Sequence, residues 1–263
     1  MDSQGFALGD KVMLVDRKKR RYLIDLVSTG EFHSHAGFVP HVDIVGCLDG
    51  AEVVSTKGAR YLVLRPTLED FVVEMPRGAQ VIYPKDLATI LMIADIRPGV
   101  KVLESGVGSG ALSMAMLRAG AVITGYELRE DFANRAIANV RGFLGEQALK
   151  NYHVELRNCY DGIDETDLDR VVLDLPEPWQ VVPHAAKAMH PGGILLAYTP
   201  SIVQVMQLRQ ALEQSAFDMP ETLEVLNRTW HVKGLRFALI IAWSLIPDSS
   251  PMLDCSAAER GQC

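Results

Sequence analysis

The feature that most constrains this fold is a regular alternation of short apolar segments and amphipathic helices, which begins near Tyr83. Helices place apolar residues three and four positions apart, whereas a buried strand is a short apolar run between turns. Alternation of the two predicts a doubly wound α/β sheet with parallel strands, whose ligands bind at the carboxyl ends of the strands. Strands are predicted at 101–104, 122–126, 171–175 and 194–198, and helices at 86–96, 111–119, 131–144, 181–189 and 202–214.

The first 75 residues have a different pattern, in which short β-rich segments are separated by turns at glycine. Strands are predicted there at 11–15, 21–27, 52–55 and 60–64, and no segment has a long helical period. We therefore expect a small N-terminal β domain over residues 1–75, either β-barrel-like or a compact sheet. Residues 70–82 would bridge to an α/β domain at 76–249, and a disordered tail is expected at 250–263.

The net charge of −7 argues against nucleic-acid binding on bulk charge alone. A nucleic-acid enzyme with this charge must concentrate its basic residues locally. One run does so, although a solvated hairpin turn would have the same composition: Arg17, Lys18, Lys19, Arg20 and Arg21.

The composition, with 48% hydrophobic and 22% charged residues, is that of a soluble globular protein. No segment has the pattern of a signal peptide or the length of a membrane span, so we expect a cytoplasmic protein. The cysteines have no metal-ligand spacing, and we expect free thiols and no metal; they are Cys47, Cys159, Cys255 and Cys263.

A glycine-rich turn between a predicted strand and a helix, Glu104–Gly110, indicates a cofactor site. Its glycines allow positive φ and a close approach of the backbone to a ligand. Glu127, at the end of the next strand, can accept hydrogen bonds from both hydroxyls of a ribose. With Ala111 the turn also matches a dinucleotide-binding pattern. A carboxylate at Glu104 suits a cationic amino-acid group better than a pyrophosphate, so a methyl donor is favoured over a nicotinamide.

The most specific motif is Asp174–Trp179, which begins at the end of the strand predicted at 171–175. Its two prolines stiffen the turn and fix the backbone where Asp174 leaves the sheet. A carboxylate here can accept from the N6 amino group of an adenine and stabilise the positive charge that develops when N1 is methylated. Asp174 could instead cap a helix, although the prolines disfavour that interpretation.

Two further residues are candidates for the same site. Asn158 should follow the third strand of the α/β sheet, where its side chain could bind the cofactor adenine; an ordinary turn explains an asparagine there equally well. Tyr83 lies just before the first helix of the domain and could wall the site or stack on the target base. Asp86, in the same Tyr83–Asp86 motif, is interpreted as a residue of the helix N-terminus.

At these motifs the chain closely resembles the tRNA (adenine-N1)-methyltransferase family that acts on the T-loop adenine 58. The resemblance covers most of the chain. It includes Gly9–Asp10, Phe32–His35, Val81–Asp86, Gly106–Leu112, Tyr126–Arg129, Asp169–Trp179, Thr199–Ser201 with Gln204, and Arg228–Val232.

The resemblance implies a class I S-adenosylmethionine-dependent (Rossmann-like) methyltransferase domain, a small N-terminal β domain and a homotetramer that binds tRNA. Asp174 would be the catalytic carboxylate, Tyr83 would lie beside the base, Glu127 would hold the cofactor ribose and Phe132 would border the pocket. The adenine must leave the folded tRNA before it reacts. The cofactor would be bound by Glu104, Gly106, Val107, Gly108, Ser109, Gly110, Ala111, Leu112, Glu127, Phe132, Asn158 and Asp174.

Two departures from the family pattern stand out. The family usually has an acid where Asn158 stands, and we expect the amide to weaken cofactor binding without abolishing it. After Leu235 the sequence leaves the family pattern, but codons for residues 236–249 can encode a family-like segment in the neighbouring frame. We therefore predict that one base is deleted after the Leu235 codon and that residues 236–263 are out of frame, which resequencing of that codon tests.

Other functions are predicted less well by these residues. A class I methyltransferase for another substrate would not need the N-terminal β domain or the Asp174 motif. A non-catalytic tRNA-binding subunit is disfavoured by the intact Glu104–Gly110 turn, although the altered C-terminus keeps that alternative open. A nicotinamide-dependent oxidoreductase is the weakest alternative, and a cofactor-binding test separates it.

Overall fold

Residues 4–75, 77–78, 80–233 and 236–240 are described by the structure, which is a computed structural model. The chain divides into two units, one ending at Leu223 and the other beginning at Glu224. The first unit contains the N-terminal strands and the α/β sheet. The second contains one hairpin and is described separately.

Alternating apolar residues in the N-terminal region build an antiparallel sheet of four strands in the order β2-β1-β6-β5. Its central strand β1 pairs Leu14 with Tyr22 on one side and with Val63 on the other. A separate hairpin, formed by β3 and β4, lies between β2 and β5 in sequence. The strands are β1 Lys11–Asp16, β2 Arg21–Asp25, β3 Glu31–Ser34, β4 Gly37–Pro40, β5 Glu52–Val54 and β6 Arg60–Leu64.

The N-terminal sheet encloses its own apolar core, in which Phe6, Leu14 and Tyr61 are almost completely buried. The four predicted strands are present, and they form the compact sheet of the two expected alternatives. The hairpin β3–β4 was not predicted, because Phe32 and Val39 are the only buried members of these short strands, and so no clear alternation marks them.

The segment 70–82, which was expected to bridge to the α/β domain, begins within helix α1, Leu68–Glu74, which was not predicted. Thr67 caps this helix: its side chain accepts from the backbone N–H of Asp70, and the Asp70 carboxylate accepts from the backbone N–H of Thr67. This reciprocal capping box satisfies two otherwise unpaired donors. The T-x-x-D spacing that marks the box was visible in the sequence.

The α/β part has five parallel strands in the order β11-β10-β7-β8-β9, with helices before and between them. The chain builds β7, β8 and β9 in one direction and then returns to place β10 on the other side of β7. The order therefore reverses between β7 and β10, which is where such sheets bind ligands. The elements are α2 Pro84–Ile93, β7 Lys101–Ser105, α3 Ala111–Arg118, β8 Val122–Glu127, α4 Glu130–Leu144, β9 Tyr152–Leu156, β10 Leu168–Leu173, α5 Val182–Ala188, β11 Met189–Ala197 and α6 Ile202–Glu213.

The predicted doubly wound sheet is confirmed, and β9 is the strand that was expected before Asn158 without stated bounds. The structure differs from the prediction around residues 189–193. There β11 begins at Met189, directly after α5, whereas a turn at Pro191–Gly193 was expected to separate helix from strand. Gly192 has φ +87° and the pairing with β10 shifts between Leu168 and Arg170, so an irregularity in the strand replaces the expected turn.

In the second unit, strand β12 (Thr229–Lys233) pairs antiparallel with β13 (Arg236–Ile240). The predicted disordered tail at 250–263, and most of the segment predicted to be out of frame, lie outside the described residues. None of the described helices is long and apolar enough to cross a membrane.

Candidate active site

The site lies at the carboxyl ends of β7 and β10, the neighbouring strands where the sheet order reverses. The backbone N–H of Asp174 donates to the carbonyl of Ser105 at 2.9 Å, which extends the pairing of these strands by one residue. A Cβ on Gly106 would stand 2.1 Å from the carbonyl oxygen of Asp174. Only glycine lets the turn pass this close to the catalytic candidate, and Gly106 also has φ +86°.

The rest of the turn leads into α3. Gly108 and Gly110 have φ +57° and +81°, and Gly110 is the N-cap of α3. A Cβ on Gly110 would lie 3.2 Å from Ala136 of α4, so glycine also allows these helices to pack closely. Ala111 and Leu112 begin α3 and are buried, and Val107 is buried as well.

Glu127, at the end of β8, is held against the turn. One of its carboxylate oxygens accepts from the backbone N–H of Gly108 and the other from that of Arg129, each at 3.0 Å. Each carboxylate oxygen retains a further lone pair for a ligand hydroxyl. The guanidinium of Arg129 stacks 3.9 Å from the ring centroid of Phe132, which is buried at the start of α4. The predicted ribose and pocket residues therefore lie beside the glycine turn.

Glu104, the last residue but one of β7, is 1% exposed. Its Oε2 accepts from the Ser113 hydroxyl of α3 at 2.6 Å. Burial raises the pKa of Glu104 to about 8, and the carboxylates of Asp174 and Glu127 act in the same direction. Because burial and like charges disfavour the ionised form, this carboxyl group is largely protonated at neutral pH when no cation is beside it.

Three buried side-chain oxygens have no hydrogen-bond partner within the part of the chain that the structure describes: Glu104 Oε1, Ser109 Oγ and Gln204 Oε1. Leaving such an atom unsatisfied costs about 1–3 kcal/mol. Glu104 and Ser109 flank the glycine turn, and Gln204 of α6 donates its Nε2 to the carbonyl of Pro176, two residues after Asp174, at 2.8 Å. Unpaired oxygens at this edge of the sheet fit a ligand that has an ammonium group and hydroxyls.

Asp174 is partly buried, and burial raises its pKa to about 6. The turn that follows is fixed by its backbone: the N–H of Glu177 donates to the Tyr160 hydroxyl at 3.1 Å. The next helical segment is a 3-10 turn at Pro178–Gln180 whose N-cap is Glu177. Asp174 therefore caps none of the helices that the structure describes, and its carboxyl group is largely ionised at neutral pH and above.

Tyr83 is the N-cap of α2 and lies in a cluster with Asp86 and Tyr198. The buried Asp86 carboxylate accepts from Lys85 Nζ at 2.8 Å and from the Tyr198 hydroxyl at 3.4 Å. Burial, Asp86 and Asp174 raise the pKa of Tyr198 to about 12, so its hydroxyl keeps its proton. Asp86 thus does more than begin a helix, since it connects α2 to the residue after β11.

Sequence reasoning missed Tyr198 as a site residue. Its signal was its position: it is the last residue of the strand predicted at 194–198, and the carboxyl ends of parallel strands meet at one edge of the sheet. Asn158 also lies at this edge, after β9, but its side-chain oxygen accepts from the backbone N–H of Tyr160 at 3.1 Å and caps a 3-10 turn. The turn therefore uses the oxygen and leaves the amide NH₂ for a ligand.

The basic run 17–21 forms the turn between β1 and β2, and its members differ in environment. Arg20 pairs with Asp16 at 2.6 Å and Arg21 pairs with Asp70. Arg17, Lys18 and Lys19 are exposed, and no ion pair was found for these three within the described residues. The turn borders a groove of about 160 Å³ whose lining includes Arg17, Lys18, Arg20, His35 and Arg60.

Cys47 and Cys159 are free thiols; Cys255 and Cys263 lie outside the described residues. No cluster of three or more His, Cys, Asp or Glu side chains with the geometry of a metal site occurs in the described ranges.

Comparisons with known proteins cover both parts of the chain. A family model described as "tRNA methyltransferase complex GCD14 subunit" matches residues 60–249, and one described as "TrmI-like N-terminal" matches residues 5–54. The chain is 37% identical over 225 residues to the tRNA (adenine(58)-N(1))-methyltransferase TrmI of Thermus thermophilus, which covers 84% of this chain and 88% of that protein. It is 33% identical to the tRNA (adenine(57)-N(1)/adenine(58)-N(1))-methyltransferase TrmI of Methanocaldococcus jannaschii, with 85% and 88% covered.

Two solved structures have the same fold over nearly the whole chain. One is described as a SAM-dependent O-methyltransferase from Thermotoga maritima and is similar with a TM-score of 0.85 and 28% identity, covering 90% of this chain and 89% of that one. The other is the tRNA (m1A58) methyltransferase TrmI from Aquifex aeolicus, with a TM-score of 0.77 and 24% identity over 90% of this chain and 92% of that one. At that identity the second likeness shows the fold alone.

Proposed function

This chain belongs to the family of tRNA (adenine(58)-N(1))-methyltransferases, and we propose that Asp174 is the catalytic residue with which it methylates N1 of adenine 58. It is a class I methyltransferase that uses S-adenosylmethionine. The observation that carries the assignment of Asp174 is its position directly after β10 and beside Gly106 of the glycine turn, where it is the N-cap of none of the described helices.

The reaction needs a group that responds to charge developing on the adenine. S-adenosylmethionine, when bound, would supply the methyl group that N1 of the adenine accepts. Asp174 accepts a hydrogen bond from the N6 amino group, which becomes more acidic as the ring gains positive charge, so the interaction is strongest in the transition state. The raised pKa of about 6 makes this carboxylate a better acceptor while it stays ionised at neutral pH.

The other site residues position the two reactants. Glu104 would take the ammonium group of the donor, Glu127 its ribose hydroxyls, and the glycines at 106, 108 and 110 leave room for its chain. Ser109, with its unpaired hydroxyl, can contact the same ligand. Buried Val107, Ala111, Leu112 and Phe132 would form the apolar lining, and Asn158, which follows β9, would border the cofactor adenine.

Tyr83 and Tyr198 would form the wall of the base pocket. Both are in the cluster around Asp86, and Tyr198 is close enough to Asp174 for the carboxylate to raise its pKa. The T-loop of folded tRNA buries the target adenine, so the base must be extruded before it reacts. An aromatic face of Tyr83 or Tyr198 can then stack on the extruded base. The phenol of Tyr198 keeps its proton at the pH of the reaction and can donate a hydrogen bond.

The tRNA phosphates would contact the turn formed by Arg17, Lys18 and Lys19. These residues lack intramolecular ion pairs among the described residues, whereas Arg20 and Arg21 stabilise the turn through Asp16 and Asp70. A homotetramer would place several such turns around one tRNA, so that an acidic chain can still bind a polyanion. We place the reaction in the cytoplasm, where tRNA and free thiols are found.

The test is methyl transfer from labelled S-adenosylmethionine to unmodified tRNA, with the product nucleosides identified by mass. Wild type should yield 1-methyladenosine, and Asp174→Ala should lose about 10²–10³-fold in kcat, as expected when one transition-state acceptor is removed. Glu177→Gln is the matched control, because it changes a carboxylate three residues along the same turn whose side chain contacts only Gln180 among the hydrogen bonds found. Equal losses in the two variants, or label on an oxygen instead of N1, would refute the proposal.

A further inference from the structure

A chain of three buried polar groups runs from β9 through α3 to β7. The Tyr152 hydroxyl donates to Ser113 Oγ at 3.0 Å, and Ser113 Oγ donates to Glu104 Oε2 at 2.6 Å. Ser113 is fully buried, Glu104 is 1% exposed and Tyr152 is 7% exposed. An ionised Glu104 can only accept, so in that form the hydrogen bonds run from Tyr152 to Ser113 to Glu104.

The hydrogen-bond chain from Tyr152 through Ser113 occupies one carboxyl oxygen of Glu104 and leaves the other oxygen without a partner. Oε1 has no hydrogen-bond partner in the described ranges, although it is buried at the edge where Gly106–Gly110 begins. The hydroxyl groups thus fix the rotation of the Glu104 carboxyl group and leave its free oxygen for the site of the methyl donor. A buried oxygen held in this way by two other elements of the fold is typical of a group that a ligand completes.

Among the described residues, none of the groups that shift the pKa of Glu104 most is a cation. From β10 it faces Asp174, from β8 Glu127, and from β9 Tyr152, while α3 contributes the neutral Ser113. Burial and the two carboxylates favour the protonated form, and the Ser113 hydrogen bond opposes them. A cationic ligand reverses this balance, because an opposite charge within hydrogen-bond distance favours the ionised carboxylate.

We propose that Ser113 and Tyr152 are positioning residues that orient Glu104 toward the ammonium group of the methyl donor, and that Glu104 releases a proton to solvent when the donor binds. The inference rests on the cofactor site assigned above. The only bond that breaks is the O–H bond of the Glu104 carboxyl group: its proton moves to water, and the carboxylate pairs with the ammonium group. The affinity for the methyl donor must then increase with pH up to about pH 8, where the ammonium group of the donor begins to lose its own proton.

The magnitude follows from the pKa of about 8 of Glu104. Binding at pH 7 should release about 0.8 of a proton, and the dissociation constant should fall about 2.5-fold between pH 7 and pH 8. It should rise again above pH 8, because the α-amino group of the methyl donor has a pKa of about 8 and loses its charge there. Asp174 titrates lower, at about 6, and so adds little to this change. The proton release is measured by titration calorimetry of the full-length protein in phosphate and in Tris, whose ionisation enthalpies differ.

Two ligands test which group Glu104 faces. S-adenosylhomocysteine has the ammonium group without the sulfonium charge, and it should release the same proton as S-adenosylmethionine. Methylthioadenosine has the nucleoside and the sulfur without the amino-acid group, and it should bind without proton release. Equal proton release with methylthioadenosine would overturn the inference. Glu104→Gln should bind all three ligands without release, and undiminished release in that variant would also overturn it.

The role of the hydrogen-bond chain Tyr152–Ser113–Glu104, called the relay below, is tested with Ser113→Ala and Tyr152→Phe. Without the Ser113 hydroxyl the Glu104 carboxylate loses a hydrogen bond, so affinity at pH 7 should fall about tenfold and recover as pH is raised. Tyr152→Phe should give a smaller loss of about threefold, and Ser113→Thr should restore binding. Tyr61→Phe is the matched control, since its hydroxyl pairs with Ser34 in the separate N-terminal core.

A purely structural role for the relay would lower affinity equally at every pH, and that result would refute the positioning role. Failure of methyl transfer to tRNA with normal proton release would affect the assignment of Asp174 but leave this inference standing. Normal methyl transfer without proton release would overturn this inference and leave the assignment of Asp174 standing.

Discussion

The closest steric constraint at the site is the approach of Gly106 to Asp174, and it gives a quantitative prediction for Gly106→Ala. The new Cβ would stand 2.1 Å from the Asp174 carbonyl oxygen and 2.9 Å from its carbonyl carbon. Contacts below 3.0 Å do not persist, so the backbone at Asp174 or the turn must move by about 1 Å. The φ of +86° adds strain of about 1–2 kcal/mol for a residue with a side chain.

Gly99→Ala separates the two effects. Gly99 has φ +80°, but a Cβ there would meet nothing within 4 Å. It should therefore lose about 1–2 kcal/mol of stability through backbone strain alone and keep its donor affinity and kcat. Gly106→Ala should show the same strain and in addition a loss of about 100-fold in kcat, because a displacement of about 1 Å at a catalytic group costs that much.

Thermal unfolding, calorimetric binding of S-adenosylmethionine and single-turnover methyl transfer to tRNA measure the three quantities for both variants. Methylation of tRNA by Gly106→Ala at a rate within threefold of Gly99→Ala would refute the prediction. A loss of activity in proportion to the loss of stability in both variants would refute it too, since the contact with Asp174 would then have no separate effect.

Three other variants or conditions test the remaining assignments. The pH profile of methyl transfer should fall below about pH 6, because Asp174 must be ionised to accept from the adenine amino group; a profile that is flat from pH 5 to pH 8 would contradict this. Replacing residues 17, 18 and 19 together by alanine should weaken tRNA binding and reduce the slope of log affinity against log salt concentration by about 2, as measured by filter binding. Arg21→Ala breaks only the pair with Asp70 and should leave this slope nearly unchanged. Asn158→Asp should tighten donor binding about fivefold by calorimetry while the 3-10 turn persists, since a carboxylate can still accept from Tyr160; weaker binding would show that the amide NH₂ contacts the cofactor.

The sequence predicted the α/β architecture because its signals were local. Each apolar run and each helical period lies within about 15 residues, and the glycine turn between β7 and α3 has its own residue pattern. The same local signals place Gly106, Glu127 and Asp174 at the carboxyl ends of predicted parallel strands, and therefore at one edge of the sheet. Parallel pairing was predictable for the same reason, since the helix between successive strands supplies the long crossover that parallel strands need.

Features that depend on packing between distant segments were not predicted. The relay from Tyr152 to Glu104 joins residues 48 positions apart, and neither Ser113 nor Tyr152 has a sequence context that marks it. Tyr198 belongs to the site only because Asp86, on a helix that precedes the first strand of the α/β sheet, accepts from its hydroxyl. The run 17–21 could not be divided into exposed and paired cations, because Arg21 is paired by Asp70, 49 residues away.

Under the proposed function, the distribution of charge accounts for how one acidic chain would bind both a cation and a polyanion. Glu104, Glu127 and Asp174 converge at the carboxyl edge of the α/β sheet, where burial strengthens electrostatic interactions and a sulfonium or ammonium group is favoured. The exposed cations at 17–19 lie in the turn between β1 and β2 instead, where tRNA phosphates can reach them. If the two binding regions are separate in this way, added salt should weaken tRNA binding steeply and donor binding only slightly, since the carboxylates of the donor site are shielded from solvent ions. Equal salt slopes for the two ligands, measured on the same protein, would contradict this separation.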